Sequence, residues 1–325
     1  MPAANQAQEV MVRHRPEAGG RVGAPALSVL IPYFEDDPTR LVRWLLDAAE
    51  HGPADIEIVL LDDGSTTRNA APLLEMARRS VRPVTLLALV VNQGRAAARN
   101  LLGRYARGRF LLFLDADVLP AAHDFLVRYL AHTQTTGSEV AVGGLQLTPP
   151  ATVGNDPFPN FCTSHSNCVS AAARRKQPAR YVIASNLLVR RDILTAYPFD
   201  EAFRGWGWED VEWGIRVSGR HRIAHIDNPV IHLGVPTTAE LIAKYVESVG
   251  NFSRLLNRHL EEVGHFPIYR ASRVMAGLPG RRMLERALRA NVLNARWPVL
   301  ARYLCLKLYV ACLYAPVVSR ASDAA

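Results

Sequence analysis

Cysteine is scarce in this sequence, and a long apolar run near its start is missing. Among 325 residues there are four cysteines, Cys162, Cys168, Cys305 and Cys312, and none forms a Cys-x-x-Cys pair. That argues against a zinc ribbon or a disulfide framework and points to reduced thiols in a cytoplasmic setting. Residues 1–26, rich in Ala, Gly, Pro, Gln, Arg and Glu, lack both the apolar core of a signal peptide and any sustained periodicity. They are expected to form a disordered N-terminal extension on a non-secreted protein. No internal repeat is present. No Gly-x-Gly-x-x-Gly follows the first apolar run, which weighs against a dinucleotide-binding dehydrogenase.

What is present fits one large or two modest globular domains: 49% of the residues are hydrophobic and 21% charged. From Leu27 short β-rich runs alternate with helical stretches. The pattern predicts strands at Leu27–Pro32, Ile56–Leu61, Val84–Val91 and Arg109–Leu114, with helices at Thr39–Glu50, Pro72–Ser80 and Gly94–Arg107. Nearly continuous apolar strands are expected where helices cover both faces of a parallel sheet, so the fold class is a doubly wound α/β domain. Ligands of such sheets sit beyond the carboxyl ends of the strands. Three of those ends carry polar clusters: Pro32 to Asp37, Asp62-Asp63-Gly64-Ser65, and Asp115-Ala116-Asp117. They should meet on one rim.

After Pro120 the pattern changes. A helix is expected near Ala122–Thr133 and a strand over Glu139–Leu147. A long segment, Thr148–Ala179, follows without clear periodicity and has the length of a functional lid. Order resumes at Tyr181–Val189, then come the Phe203–Asp210 loop, a helix to Val217 and a strand at Arg222–Ile226.

The acids at the rim have two readings each. Asp115 and Asp117, one residue apart on an extended chain, would address one divalent cation or its ligands together; the other reading is a pair of solvated turn residues or a helix cap before Pro120. Asp62 and Asp63 either cap the next helix or bond a polar ligand. Arg95, at the start of a helix on the same rim, either faces a phosphate or is solvated. The Gly205-Trp206-Gly207-Trp208-Glu209-Asp210 loop holds two flat aromatic faces beside two acids, an arrangement suited to a sugar ring and its hydroxyls. Asp210 there can act as a general base, or Glu209 and Asp210 can simply stabilise a helix N-terminus. His232 is preferred over His225 as a metal ligand because Leu233-Gly234 after it reads as a loop at the cleft.

In this order the motifs resemble family 2 glycosyltransferases with a GT-A fold. The resemblance runs through Ser28 to Phe34, Asp62 to Ser65, Asn92-x-Gly94 with Ala98-Arg99-Asn100, and Asp115-Ala116-Asp117. It covers roughly Leu27 to His232. The stretch Phe199 to Asp210 is similar to the acceptor motif of galactosyltransferase-type and chondroitin-polymerase-type enzymes, with Trp208 where those relatives commonly carry Gly. The resemblance implies a GT-A catalytic domain over 27–236, divided into a nucleotide-sugar half (27–120) and an acceptor half (121–236). It implies that Pro32, Phe34, Asp63, Arg95, Asp115 and Asp117 bind a donor, a UDP-sugar by the family's habit, with Phe34 and Asp63 at the uracil. Trp206, Trp208 and Glu209 would hold a glycan or glycolipid acceptor, Asp210 would be the base of an inverting transfer, and Asp117 with His232 would bind Mn²⁺ or Mg²⁺. The alternatives are a nucleotidyltransferase, which leaves the tryptophan loop unexplained, and a nucleotide-sugar-binding scaffold without turnover.

Residues 237–325 read as a helical, basic extension. From Gly264 onward ten Arg or Lys residues stand against Glu285 and Asp323, which accounts for the whole net charge of +8. Aliphatic and aromatic residues interleave with those charges, so an anionic membrane suits the segment and nucleic acid does not. Val299–Val318, interrupted by Arg302 and Lys307, suits an interfacial helix better than a span; soluble packing is the other reading. The expected location is the cytoplasm, at the inner face of the cell membrane.

Overall fold

The computed structural model describes residues 8–14, 24–50, 55–67, 70–147 and 156–323. The first part of the chain runs β1 (Gln8–His14), β2 (Leu27–Tyr33), α1 (Thr39–Glu50), β3 (Ile56–Asp62), α2 (Ala71–Arg79), β4 (Val84–Leu89), α3 (Arg95–Tyr105) and β5 (Phe110–Leu114). Then come β6 (Val118–Pro120), α4 (Phe125–Thr136), β7 (Val140–Val142), β8 (Leu145–Leu147), α5 (Phe158–Ser166), α6 (Ala171–Arg174), β9 (Asn186–Arg190), α7 (Arg191–Ala196) and α8 (Glu209–Ser218). The last elements are β10 (Ile223–His225), β11 (Val230–His232), α9 (Thr238–Val263), α10 (Pro267–Ala276), α11 (Arg281–Leu293) and α12 (Val299–Asp323).

Eight strands form one sheet in the order β1-β4-β3-β2-β5-β9-β7-β10. Its centre, β4 through β5, is parallel, and β9 turns antiparallel against β5. Alternation along the strands separates two cores. Val29, Ile31, Ile58 and Leu60 face α1, α2 and α4, whereas Leu30, Val59, Leu61 and Leu87 face α3, α7 and α8. Burial on both faces is why these strands read as unbroken apolar runs. The helices follow the same logic: α1 buries Leu41, Val42, Leu45 and Ala49 on one stripe.

Four expectations change. Residues 8–14 of the segment expected to be disordered form an edge strand, β1, antiparallel to β4; an open sheet edge offers unpaired backbone groups to any β-prone run, here Val10-Met11-Val12. The remainder of 1–23 lies outside the described residues. The single strand expected over Glu139–Leu147 breaks at Gly143-Gly144 into β7 and β8, which join different sheets. Gly144 has φ +90° and the Arg174 guanidinium fills the space a Cβ would take, so the chain turns there around that arginine.

The Thr148–Ala179 segment is not an irregular lid from Asp156 onward; 148–155 lie outside the described residues. Phe158 and Cys162 of α5 are buried against the C-terminal helices. Arg174 is buried, with hydrogen bonds to the carbonyls of Gly143 (3.1 Å) and Ile226 (2.8 Å) and to His225 Nδ1 (3.1 Å). Finally, residue 236 marks a change from sheet to helices without separating two packing units. A third core joins Phe203 and Ile215 to α5 and to α9 through α12. Arg302 of α12, 1% exposed, makes a two-pronged pair with Asp156 at 2.7 and 2.8 Å and lies over the Phe158 ring. By length and composition α12 alone among the described helices could cross a membrane, but half of that stretch is buried in the protein.

Candidate active site

The three polar strand ends do converge, and they are laced together by short-range bonds. After β2 the chain turns through Glu35 (φ +54°), whose N–H donates to Ser65 Oγ at 2.9 Å. The Glu35 carboxylate accepts from the Thr66 N–H and hydroxyl, both 2.7 Å, and from the Thr67 hydroxyl at 2.9 Å; the Thr66 bonds above all lower its pKa to about 2. Pro32 and Phe34 stand beside this turn, and the Phe34 ring is 44% exposed, free to flank a planar group.

Asp63 has a second role. It is 3% exposed, and its two oxygens accept from the backbone N–H groups of Gln93 (2.8 Å) and Gly94 (2.9 Å). Burial raises its pKa while those amides oppose the rise. Asp63, expected to bond a base, is also the clamp on the loop that starts α3, because an acid buried this deeply takes the nearest unpaired donors. Gly64, at φ +83°, lets the loops touch: a Cβ there would lie 2.5 Å from the Asn92 nitrogen. Arg95, exposed at the first position of α3, takes no part in an ion pair among the described residues, and its charge reaches Asp36 and Asp117.

Asp115 and Asp117 share the rim but not a partner. Residues 116 and 117 form a turn, so the two side chains do not follow the alternation of an extended strand. Asp115 Oδ1 meets Arg99 Nη2 at 3.4 Å. Asp117 Oδ2 meets His232 Nε2 at 3.4 Å. The second pairing follows from register: β11 is antiparallel to β6 with His232 opposite Val118, and the Leu233 N–H donates to the Asp117 carbonyl at 2.8 Å. Burial is the main cause that raises the Asp117 pKa; His232 opposes it, while Asp115 and Asp36 add to it. His225, the alternative, is buried between Arg174 and the Pro178 carbonyl and its pKa falls to about 4, chiefly through burial. It is structural.

Among the described residues no three His, Cys, Asp or Glu side chains are grouped to hold a metal by themselves. The Asp117–His232 pair nevertheless fits a divalent ion. It joins a hard oxygen to an imidazole, the mixture that suits Mn²⁺. Carboxylates crowd it, and Gly234 approaches so closely that a Cβ would lie 3.3 Å from Asp117 Oδ2.

Arg99 is the functional residue that sequence reasoning missed. It is 1% exposed in the interior of α3, with Asp115 on one side and Glu209 (3.4 Å) and Asp210 (3.0 Å) on the other. Burial works against its charge, but the three carboxylates, Asp210 first, outweigh that and hold it firmly cationic. Asn100 beside it ties α3 to the second half by accepting from Phe199 N–H and donating to the Phe199 carbonyl, both 2.9 Å. The available signal was an arginine on the apolar stripe of an alanine-rich helix, which demands buried acids as partners.

Asp210 lies in the first turn of α8. Its Oδ1 accepts from Arg99 and its Oδ2 from the Ala184 N–H at 2.9 Å. Burial lifts its pKa to about 6 despite Arg99, so this carboxylate gains basicity near neutral pH. Trp206 is half-buried, edge-on to Tyr245 at 5.5 Å. Trp208 is likewise half-buried: it packs on Phe252 at 4.9 Å, and its Nε1 donates to the Tyr314 hydroxyl at 3.0 Å. A tryptophan with an apolar cage and a hydroxyl partner within reach is held by the fold.

The family model described as glycosyl transferase family 2 matches residues 28–197. An N-acetylglucosaminyltransferase of Rhizobium leguminosarum bv. phaseoli is 31% identical over 135 residues, 41% of this chain and 30% of that protein, so this chain matches well under two thirds of the relative's length. The fold is shared with a mannosyltransferase from Pyrobaculum calidifontis solved with GDP-Man and Mn²⁺ (TM-score 0.58, 18% identity, 91% of this chain and 88% of that one). It is also shared with residues 1–349 of S. aureus TarS solved with UDP-GlcNAc (TM-score 0.51, 17% identity, 92% of each chain). The architecture is that of the GT-A glycosyltransferases, with helices added at the C-terminal end.

Proposed function

The chain belongs to glycosyl transferase family 2, and from that premise we propose that it moves a sugar from a nucleotide-sugar donor, a UDP-sugar, to a hydroxyl of a glycan or lipid-linked acceptor with inversion. The observation that carries this reading is the buried Arg99, which brings the donor-side acid Asp115 and the acceptor-side acids Glu209 and Asp210 to one point. A scaffold without turnover gives no reason to bury a cation among three carboxylates, since such a cluster is costly to desolvate.

In this mechanism Asp210 takes the proton of the acceptor hydroxyl as that oxygen attacks the anomeric carbon. The bond from that carbon to the nucleoside diphosphate breaks on the opposite side, and no covalent enzyme intermediate forms. Arg99 and the Ala184 N–H fix the orientation of the base. Phe34 and Pro32 flank the donor's planar base, and Arg95 faces its phosphates at the start of α3. Asp115 contacts the ribose or sugar, with Arg99 behind it. Trp206 and Glu209 border the acceptor. Asp117 and His232 are the residues that would hold Mn²⁺ or Mg²⁺, which when bound supplies Lewis-acid neutralisation of the departing diphosphate. The test is a panel of UDP-sugars and GDP-Man incubated with the protein and Mn²⁺. UDP release from a subset of donors supports the reading, and nucleotide binding without release from any donor refutes it.

We also place the protein at the cytoplasmic face of a membrane. At the turn between α11 and α12, Leu293, Trp297, Leu300 and Leu304 are each 40–60% exposed, beside the exposed Arg289 and Arg296. Apolar side chains ringed by arginines suit an anionic lipid surface, where a lipid-linked acceptor would be met. Co-sedimentation with phosphatidylglycerol vesicles, weakened in a Leu300→Glu/Leu304→Glu variant, is expected; equal recovery with and without vesicles removes the membrane from the proposal.

A further inference from the structure

We propose that the C-terminal helices are part of the catalytic machinery, with Asn251 of α9 and Tyr314 of α12 acting as positioning residues for the loop that delivers Asp210. This rests on the assignment of Asp210 as the base. The loop 204–208 has a conformation that a free chain would not keep. Gly205, Gly207 and Trp208 have φ of +74°, +91° and +75°, and Trp208 pays the steric cost of that region without being glycine. Something outside the loop must hold it.

Two helices do so. The Asn251 side-chain amide donates to the carbonyls of Arg204 and Gly207, each at 2.9 Å, and so bridges the loop from one end to the other. Tyr314 receives the Trp208 Nε1–H and shares a 2.6 Å hydrogen bond with Ser248 Oγ, which in turn donates to the Tyr245 carbonyl. Phe252 stacks on the Tyr314 ring at 4.2 Å and also packs against the Trp208 ring at 4.9 Å. Trp208 is also where α8 begins: its carbonyl accepts the Glu212 N–H at 2.9 Å. Asp210 follows two residues later on a rigid helical turn. A displacement of the indole therefore becomes a displacement of the Asp210 carboxylate relative to Arg99, Asp115 and Glu209, the charged groups that face it. Small misplacements of a catalytic group cost far more in rate than in stability.

Tyr314→Phe removes one hydroxyl and keeps the ring stack, and Asn251→Ala removes the loop bridge. The measurements are UDP affinity in the presence of Mn²⁺, and the rate and pH profile of UDP release from UDP-sugars with water as acceptor. For Tyr314→Phe the expected result is a UDP affinity within about twofold of the unaltered protein, release slowed roughly tenfold, and an acid limb displaced upward as Asp210 drifts from Arg99. Asn251→Ala is expected to slow release up to about a hundredfold. Trp208→Phe combined with Tyr314→Phe should lose less than the two single losses together, because the two side chains share one hydrogen bond. Release and pH profile unchanged in Tyr314→Phe and Asn251→Ala overturn the inference, as does a loss of UDP affinity in step with rate. An unaltered protein that binds UDP but releases none from any donor refutes the transferase reading instead.

Discussion

The donor half and the acceptor half of the site are built by different means. On the donor side three acids are held by a neighbour at the adjoining strand end: Glu35 by Thr66 and Thr67, Asp63 by the amides of Gln93 and Gly94, Asp117 by the strand pairing that brings His232 beside it. The sheet sets those neighbours side by side, because β2 pairs with β3 and β6 with β11. On the acceptor side Glu209 and Asp210 depend on Arg99, 111 residues before Asp210, and the loop ahead of them depends on Tyr314, 106 residues after Trp208. The half proposed to bind the donor is held where strand ends meet; the half proposed to perform proton transfer is held by side chains of α3, α9 and α12. A rim made by strand ends tolerates drift elsewhere, whereas a base aimed by helices from both ends of the chain does not.

The sharpest way to break that comparison is Asp210→Asn. The amide cannot accept the acceptor's proton, so turnover is expected to fall about a thousandfold, within the usual worth of a positioned base. UDP affinity, a donor-half property, should stay within about twofold. A parallel collapse of UDP binding, measured by titration, would show that the two halves are one unit.

Next in size is Arg302→Met. It leaves Asp156 partly buried without its partner, and breaking such a pair costs roughly 3 kcal/mol. Hydrogen bonding to Arg302 is what chiefly holds the Asp156 carboxyl at about 2. The pair ties α12 to the start of α5 and, through Thr238 Oγ1, to the start of α9. Urea denaturation should show the loss, and UDP release should suffer before UDP binding does as denaturant rises.

These contrasts also explain what could be read without coordinates. The strands β2 to β5, the helices between them and the rim acids were legible because burial on both faces, helix period and strand-end polarity are local properties of the chain. The place of His232 at the rim was legible through the resemblance and its loop; its role as a metal ligand is a proposal. Arg99 was not: beside Arg95 in an alanine-rich helix it looks like a second solvated arginine, and only the fold brings three acids to it. The hold on Trp208 was not legible for the same reason, since Phe252 and Tyr314, which pack against it, lie far along the chain. The break at Gly143-Gly144 escaped because two strands of different sheets are continuous in an apolar pattern.

The pH dependence gives a smaller effect and a check on the base. Burial places the Asp210 pKa at about 6, above the ordinary 3.8. Below that pH the carboxyl holds a proton and cannot accept another, so UDP release should fall about tenfold per unit on an acid limb centred near 6. The sign for stability is opposite. The folded chain binds this proton more tightly than the unfolded one, so the group's contribution is fully present below about 4 and is lost as pH rises through about 6. A pH–rate profile flat from pH 5 to 8 would remove Asp210 from the role of base.

The smallest expected effect tests the donor half where it is most crowded. Gly64→Ala puts a methyl group 2.5 Å from the Asn92 nitrogen and 2.6 Å from the Val91 carbonyl carbon, at φ +83° where alanine is strained even in open space. Both obstacles are backbone, so the 91–94 loop itself must move, at a cost on the order of 1–3 kcal/mol. That loop is the one Asp63 clamps, and α3 with Arg95 starts from it. UDP affinity should therefore weaken severalfold, with the Asp210-dependent acid limb left near 6 because Arg99 sits a full turn further along the helix. If the limb moves together with the affinity, the long-range assembly of the acceptor half begins already at Gly64, and the boundary between the two halves lies inside α3 rather than at its start.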